Sequence, residues 1–150
     1  MVDPIDVVFP GLGTSTLRVT SSASRDYNCI AWAAGDMARW WWPDADPDND
    51  AIYWPAGVVA EETLDAFAAA FVTLGYAPCS GEELELGFER IALFAIAGVP
   101  THAARQLSSG RWTSKLGLRE DIEHELHALS GVEYGAVTLI MKRPLTKVVP

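Results

Sequence analysis

Cysteine is scarce in this chain of 150 residues, which has only Cys29 and Cys79. Two cysteines cannot build the disulfide framework on which small secreted domains depend. The sequence also has no run of about 18 apolar residues, the length that a membrane-spanning helix needs. The first residues carry no basic cluster followed by a long apolar run, so we predict no signal peptide. These absences favour a cytoplasmic location, although export by a dedicated secretion system fits the same sequence.

Basic residues are in the minority. Lys and Arg number 11 against 20 for Asp and Glu, which gives a formal net charge of -9. Such an acidic surface repels a phosphate backbone and an anionic membrane, so we expect neither nucleic acid nor a membrane as a partner. Hydrophobic residues make up 49% of the chain, enough for a core. The length is typical of one domain, which we predict over residues 1 to 150, with an irregular segment at about 1 to 24. None of these features predicts an oligomeric state.

The spacing of apolar residues changes along the chain. Apolar positions at helical spacing predict three helices, at about residues 28–41, 61–74 and 120–129. Shorter apolar runs predict strands at about 90–96, 101–107, 111–115 and 136–141, and Ser108-Ser109-Gly110 between two of them indicates a hairpin. Helices followed by hairpin-connected strands predict an α+β fold with the helices on one face of an antiparallel sheet.

Cys29 is the best candidate for chemistry because it falls where the first helix is predicted to begin. Asn28 before it is one of the residues able to cap that helix. Free N–H groups at a helix start stabilise an anion, so we expect a lowered thiol pKa and a ready oxyanion hole, to which Tyr27 could add a donor. A thiol nucleophile also needs a base, usually histidine. His102 at the start of a strand is our choice; His124 and His127 fall on the predicted third helix.

Three segments resemble motifs of the papain-like cysteine hydrolases, in particular the compact NlpC-type amidases and peptidases: Tyr27-Asn28-Cys29-Ile30-Ala31-Trp32-Ala33, Thr101-His102-Ala103-Ala104-Arg105 and Trp112-Thr113-Ser114-Lys115-Leu116-Gly117. Residues 9 to 144 also resemble a family of functionally uncharacterised bacterial domains with a Trp-rich segment after the Cys helix. The resemblance implies a helix-borne Cys29 packed on the sheet, His102 as its base and a third group on the next strand. NlpC-type enzymes usually have Asp-Cys-Ser where this chain has Asn28-Cys29-Ile30, which puts their wall-peptide substrate in doubt.

The length of the hairpin loop decides which residue can orient His102. A three-residue loop places Ser114 on the same face as His102, whereas a two-residue loop places Thr113 and Lys115 there. A hydroxyl can accept a hydrogen bond from a neutral imidazole and an ammonium cannot, so Ser114 is the predicted orienting residue. Asp121 and His124 follow that strand and are the alternatives. Asn28, Lys115 and His124, together with Tyr27, are the residues expected to line the site or to contribute to the oxyanion hole.

Two functions follow from these patterns. The first is a cysteine-dependent hydrolase or transferase that acts on an amide or thioester of a peptide, protein or small molecule, without a cofactor. The second is a non-catalytic binding or regulatory domain that uses a Trp-rich surface around Trp40-Trp41-Trp42. We expect no metal, because the alternating Asp44, Asp46, Asp48 and Asp50 miss the EF-hand pattern and His124 with His127 misses the zincin spacing.

Overall fold

The computed structural model describes residues 18–21, 23–43, 52–116, 120–131 and 134–145. Its elements in chain order are β1 (Arg18–Val19), α1 (Cys29–Ala34), β2 (Trp40–Trp41), β3 (Ile52–Tyr53), α2 (Leu64–Val72), β4 (Ala77–Cys79), β5 (Phe88–Ile96), β6 (Val99–Gln106), β7 (Trp112–Lys115), β8 (Asp121–His124), a 3₁₀ helix (Leu126–Leu129) and β9 (Ala136–Pro144). The predicted α+β class is confirmed. No described helix is long and apolar enough to cross a membrane.

Seven strands form one sheet in the order β1-β8-β7-β6-β5-β9-β4, and every neighbouring pair is antiparallel. The predicted antiparallel sheet is therefore confirmed. β2 and β3 make a separate parallel pair. The β6–β7 hairpin closes with the Leu107 N–H donating to the Arg111 carbonyl at 2.7 Å, which leaves the three-residue loop Ser108-Ser109-Gly110.

The two faces of the sheet bury different clusters because neighbouring residues of a strand point to opposite sides. We call one the helix face, where α1 and α2 pack on Ile91, Leu93 and Ala103. The other is the distal face, where the 3₁₀ helix covers Phe94 and Ile122. Both α-helices therefore lie on one face, as predicted. Whether a residue holds an odd or an even position along its strand decides which of the two clusters it joins.

The predicted first helix is much shorter than expected. It ends at Ala34, because Gly35 adopts the left-handed conformation at φ 86° and donates its N–H to the carbonyls of Ala31 and Trp32. The second helix is confirmed in its centre and begins at Leu64, where the Thr63 hydroxyl accepts from the Ala66 N–H at 3.2 Å.

The predicted helix at residues 120–129 is wrong. Its first half is β8, in which Asp121 and Glu123 pair with helix-face residues of β7 while Ile122 lies on the distal face. Hydrogen bonds to β7 and β1 pair the backbone N–H and carbonyl groups of this segment. Pairing with neighbouring strands therefore outweighs the helical spacing of its apolar residues. Only Leu126–Leu129 turns, and as a 3₁₀ helix.

Candidate functional site

Cys29 is the first residue of α1, and the residue before it fixes its position. The Asn28 side-chain oxygen accepts from the Ala31 N–H at 3.0 Å and from the Trp41 N–H at 3.1 Å, while its amide donates to the Trp41 carbonyl at 2.8 Å. Asn28 thus caps the helix and ties it to β2, which confirms the predicted cap. The Cys29 side chain points into the helix-face core and is 9% exposed.

His102 does not face Cys29. It is paired with Phe94 across β5 and β6, and Phe94 belongs to the distal-face cluster, whereas the neighbouring Ala103 belongs to the helix-face cluster with Cys29. The two side chains therefore lie on opposite faces of the sheet, and the expected contact between them is wrong. Direct proton transfer needs hydrogen-bond reach, which this arrangement does not allow.

His102 instead belongs to a buried distal-face group. Its ring stacks on Tyr134 at a centroid distance of 4.1 Å and meets the edge of Phe94 at 5.2 Å. Neither ring nitrogen has a hydrogen-bond partner among the described residues. Burial, aided by the nearby His124, lowers the pKa of His102 well below its ordinary value, so the ring is neutral at physiological pH.

Ser114 shares the distal face with His102, as the three-residue loop predicts, but its hydroxyl bonds a different histidine. Ser114 Oγ lies 2.7 Å from His124 Nε2, and His124 Nδ1 lies 2.7 Å from the Glu125 carbonyl. Because a carbonyl only accepts, Nδ1 carries the proton and Nε2 accepts from the serine hydroxyl. Ser114 therefore does not orient His102. The prediction that His124 lines the site with Cys29 is wrong, because His124 is buried in β8 on the distal face, while His127 is exposed on the 3₁₀ helix.

Lys115, Asp121 and Tyr27 are polar side chains on the same side of the sheet as Cys29. Lys115 and Asp121 are paired across β7 and β8 and are buried together. The Tyr27 hydroxyl donates to Asp121 Oδ2 at 2.6 Å, and the Lys115 ammonium lies 5.4 Å from the centre of the Tyr27 ring. We call Cys29, Lys115, Asp121 and Tyr27 the thiol cluster.

Burial dominates the electrostatics of the thiol cluster. It raises the pKa of Cys29 to about 11, against the opposing pull of the Ala103 and Ile30 N–H groups and of the Lys115 charge. The lowered thiol pKa expected from the helix start is therefore wrong, because desolvation outweighs the N–H groups. Burial also lowers the pKa of Lys115, while the charges of Asp121 and Cys29 act to raise it. Tyr27 has a pKa raised to about 12, first by burial and then by its bond to Asp121.

Lys115 and Asp121 were both visible in the sequence, in different roles. The sequence predicts Lys115 as a residue that lines the site and not as the orienting group, because an ammonium cannot accept a bond from histidine, and it offers Asp121 only as an alternative orienting group. The alternation of side chains along a strand is the feature of the sequence that indicates their true position. Ser114 and Lys115 are adjacent on β7 and must face opposite ways, so placing Ser114 with His102 sends Lys115 to the other face.

The tryptophans are packed in the fold. All six are buried or half-buried, and Trp42 and Trp54 both contact Phe67, with ring centres 5.3 and 5.2 Å apart. Trp32 stacks on Tyr27 at 5.5 Å and donates to Thr113 Oγ1 at 3.1 Å. None of the six tryptophans, all of which lie in the described ranges, is fully exposed, and a binding role for their partly exposed edges stays a prediction.

Metal ligands do not gather in the described ranges, where no group of three His, Cys, Asp or Glu side chains is close enough to hold an ion. The four alternating aspartates at residues 44 to 50 lie outside those ranges. His124 and His127 diverge, since one is buried in β8 and the other bonds Glu82 at 2.7 Å on the surface.

A protein-family model described as a domain of unknown function, DUF7689, matches residues 18–142. No curated protein and no solved structure matches the chain.

Proposed function

The chain belongs to the DUF7689 family, and from the geometry of the thiol cluster we propose that it is a cysteine-dependent hydrolase or acyl transferase for an amide or thioester. In this proposal Cys29 is the nucleophile, and Lys115 takes the role expected of His102. The observation that carries it is a fully buried lysine that is paired with the buried Asp121 across β7 and β8, on the same face of the sheet as Cys29.

A buried lysine needs a reason, because this residue type is almost never fully buried unless it is paired. A buried ion pair is weak support for stability, since well-packed hydrophobic residues of similar volume are often as stable or more so. Clusters of buried titratable groups with shifted pKa values are concentrated at functional sites. Lys115 and Asp121 next to a thiol fit a functional cluster better than a structural one.

The protonation states of Cys29 and Lys115 support a step in which a general base removes the thiol proton. The Cys29 thiol is protonated at neutral pH because its pKa is about 11. Burial lowers the pKa of Lys115 and so increases the share of neutral amine, which can accept the thiol proton. Asp121 then stabilises the new ammonium, and the Tyr27 hydroxyl holds the Asp121 carboxylate in place.

The reaction then follows the ordinary course of thiol acyl transfer. The Cys29 thiolate adds to the carbonyl carbon, and N–H groups beside the sulfur, such as that of Ala103, are donors for the oxyanion. The Lys115 ammonium returns its proton to the departing amine or thiol. Water or a second nucleophile cleaves the acyl–sulfur bond and restores the thiol.

The order of the elements along the chain is similar to that of papain-like hydrolases, and this supports the same proposal. A cysteine on the first helix precedes six of the seven described strands of the antiparallel sheet, and the helix packs on strands that follow it. The proposal departs from that pattern in its base, which lies on β7 instead of β6.

Acyl capture tests the proposal. The protein is incubated with p-nitrophenyl acetate or a small acyl thioester, and the adduct is mapped by mass spectrometry of peptides. We expect an acyl group on Cys29 in the wild type and in Cys79→Ala, and none at that peptide in Cys29→Ala. Adducts that form only on Cys79 or on surface lysines would refute the proposal and favour a binding domain.

A further inference from the structure

A cavity of about 560 Å³ opens at the end of the sheet where β5 begins and β6 ends. Its lining is mainly apolar and includes Leu84, Leu86, Phe88, Leu107 and Leu145. Leu86 is fully exposed, and Leu84 and Leu145 are each about half exposed. The volume suits one small molecule, and exposed leucines around a cavity mark a surface that gains by being covered. We call this cavity the leucine pocket.

The carboxylates in the lining of the leucine pocket are already engaged. Glu85 accepts from Arg90 at 2.8 Å and from Lys142 at 2.9 Å. Glu89 is paired with Arg143. Neither carboxylate is therefore available to recognise a cationic ligand.

Arg105 is the charged group of the lining that lacks a carboxylate partner among the described residues. Its guanidinium lies 4.9 Å over the Trp32 ring, and its buried Nε has no hydrogen-bond acceptor there. The buried hydroxyl of Tyr76 also has no partner and interacts with the charges of Arg105, Arg143 and Glu89. The charged residues of the lining are Glu85, Glu89 and Arg105, and because both glutamates are paired with cations from outside the lining, Arg105 is the charge left for a ligand.

We propose that the leucine pocket binds a small amphipathic carboxylate of the medium-chain fatty-acid type. The carboxylate pairs with the Arg105 guanidinium, whose fork geometry matches it, and the alkyl chain covers the leucines. A neutral or cationic ligand of the same shape would desolvate Arg105 without pairing it, which is costly. A polyphosphate would require several cations, and the pocket offers one unpaired arginine.

This site is separate from the thiol cluster, since Cys29 does not line the leucine pocket. Binding therefore neither requires nor proves the proposed acyl chemistry. Cys29→Ala is expected to bind the carboxylate as the wild type does, which keeps a failure of one proposal distinguishable from a failure of the other.

Calorimetric titration with decanoate, decanol and decylamine below their aggregation concentrations tests the proposal. We expect saturable binding of decanoate and at least tenfold weaker binding of the alcohol and the amine, because a hydrogen bond to a charged group is worth about a factor of ten or more. Arg105→Met should weaken decanoate by a similar factor. Equal affinity for decanoate and decanol, or no saturable binding of decanoate, would overturn the proposal.

A second variant, at the opening of the pocket, tests the proposal even if Arg105→Met does not fold. Leu86 is fully exposed, so Leu86→Glu should fold normally while placing a repelling carboxylate at the opening of the pocket. Val59→Glu is the matched control, because Val59 is also exposed and does not line the pocket. We expect Leu86→Glu to lose decanoate binding and Val59→Glu to keep it. Retention of wild-type affinity by Leu86→Glu would contradict the placement of the ligand.

Discussion

Replacing His124 by glutamine is expected to make the stability of the protein less sensitive to acid. Burial lowers the pKa of His124 from 6.5 to about 4. In the unfolded chain the imidazole titrates near its ordinary value, so below that pH the unfolded state binds a proton that the folded state refuses. Stability is therefore unaffected above about pH 6.5 and falls as the pH drops from there towards the folded pKa.

The size of the effect follows from these two pKa values. Between pH 7.5 and pH 5 a group that shifts from 6.5 to about 4 removes about 2 kcal/mol from the free energy of unfolding. His102 acts in the same direction because its pKa is also lowered. An amount of this size is a large part of the stability of a small domain.

Urea unfolding followed by tryptophan fluorescence at pH 7.5 and pH 5 measures the effect. We expect His124→Gln to recover about 2 kcal/mol of the loss that the wild type suffers between the two pH values. His127→Gln is the matched control, since the His127 side chain is 60% exposed. If His124→Gln loses as much stability as the wild type over this range, His124 is not held neutral by burial and the account of the distal face is wrong.

Five substitutions on other parts of the fold have expected effects on stability that urea unfolding can check. Cys29→Ala should lower the free energy of unfolding by about 1 kcal/mol, as for a small buried group, and a loss like that of a large core residue would contradict this. Lys115→Met should cost about 3 kcal/mol because it removes the positive charge that lies opposite the buried Asp121 across β7 and β8, and adding Asp121→Asn should recover most of the loss. No recovery would mean that the two charges do not stabilise each other. Gly135→Ala should cost on the order of 3 kcal/mol or more, because its Cβ would lie 2.2 Å from the Ala95 carbonyl oxygen. Gly81 also has a positive φ but open space around the position of a Cβ, so Gly81→Ala should cost only about 1 kcal/mol. Equal costs for the two glycines would rule out the close approach at Gly135.

Four of the nine described strands (β5, β6, β7 and β9) and the capping of the first helix could be predicted from local patterns. Asn28 caps α1 because its short side chain reaches the N–H groups of the first turn. The three-residue loop of the β6–β7 hairpin correctly placed Ser114 and His102 on one face, since parity along paired strands is strict.

The composition of the candidate site could not be predicted, because parity relates strand residues to one another without saying which face receives the helix. A single choice of face decides whether Cys29 meets His102 and Ser114 or Lys115 and Asp121. That choice depends on the packing of the whole core, with Ala103 small enough to lie under α1 and the larger Phe94 on the far side. The raised thiol pKa had the same origin, since the depth of burial is a tertiary property.

The central claim is that the general base is Lys115 on β7 and not His102 on β6. The rate of Cys29 acylation tests this claim most directly. The rate is measured in the wild type, in Lys115→Met/Asp121→Asn, which keeps the cluster neutral and packed, and in His102→Phe, which keeps a ring against Tyr134. Circular dichroism first establishes that each variant is folded. We predict that the double variant loses acylation of Cys29 while His102→Phe retains the wild-type rate. Loss of acylation in His102→Phe with retention in the double variant would contradict the account.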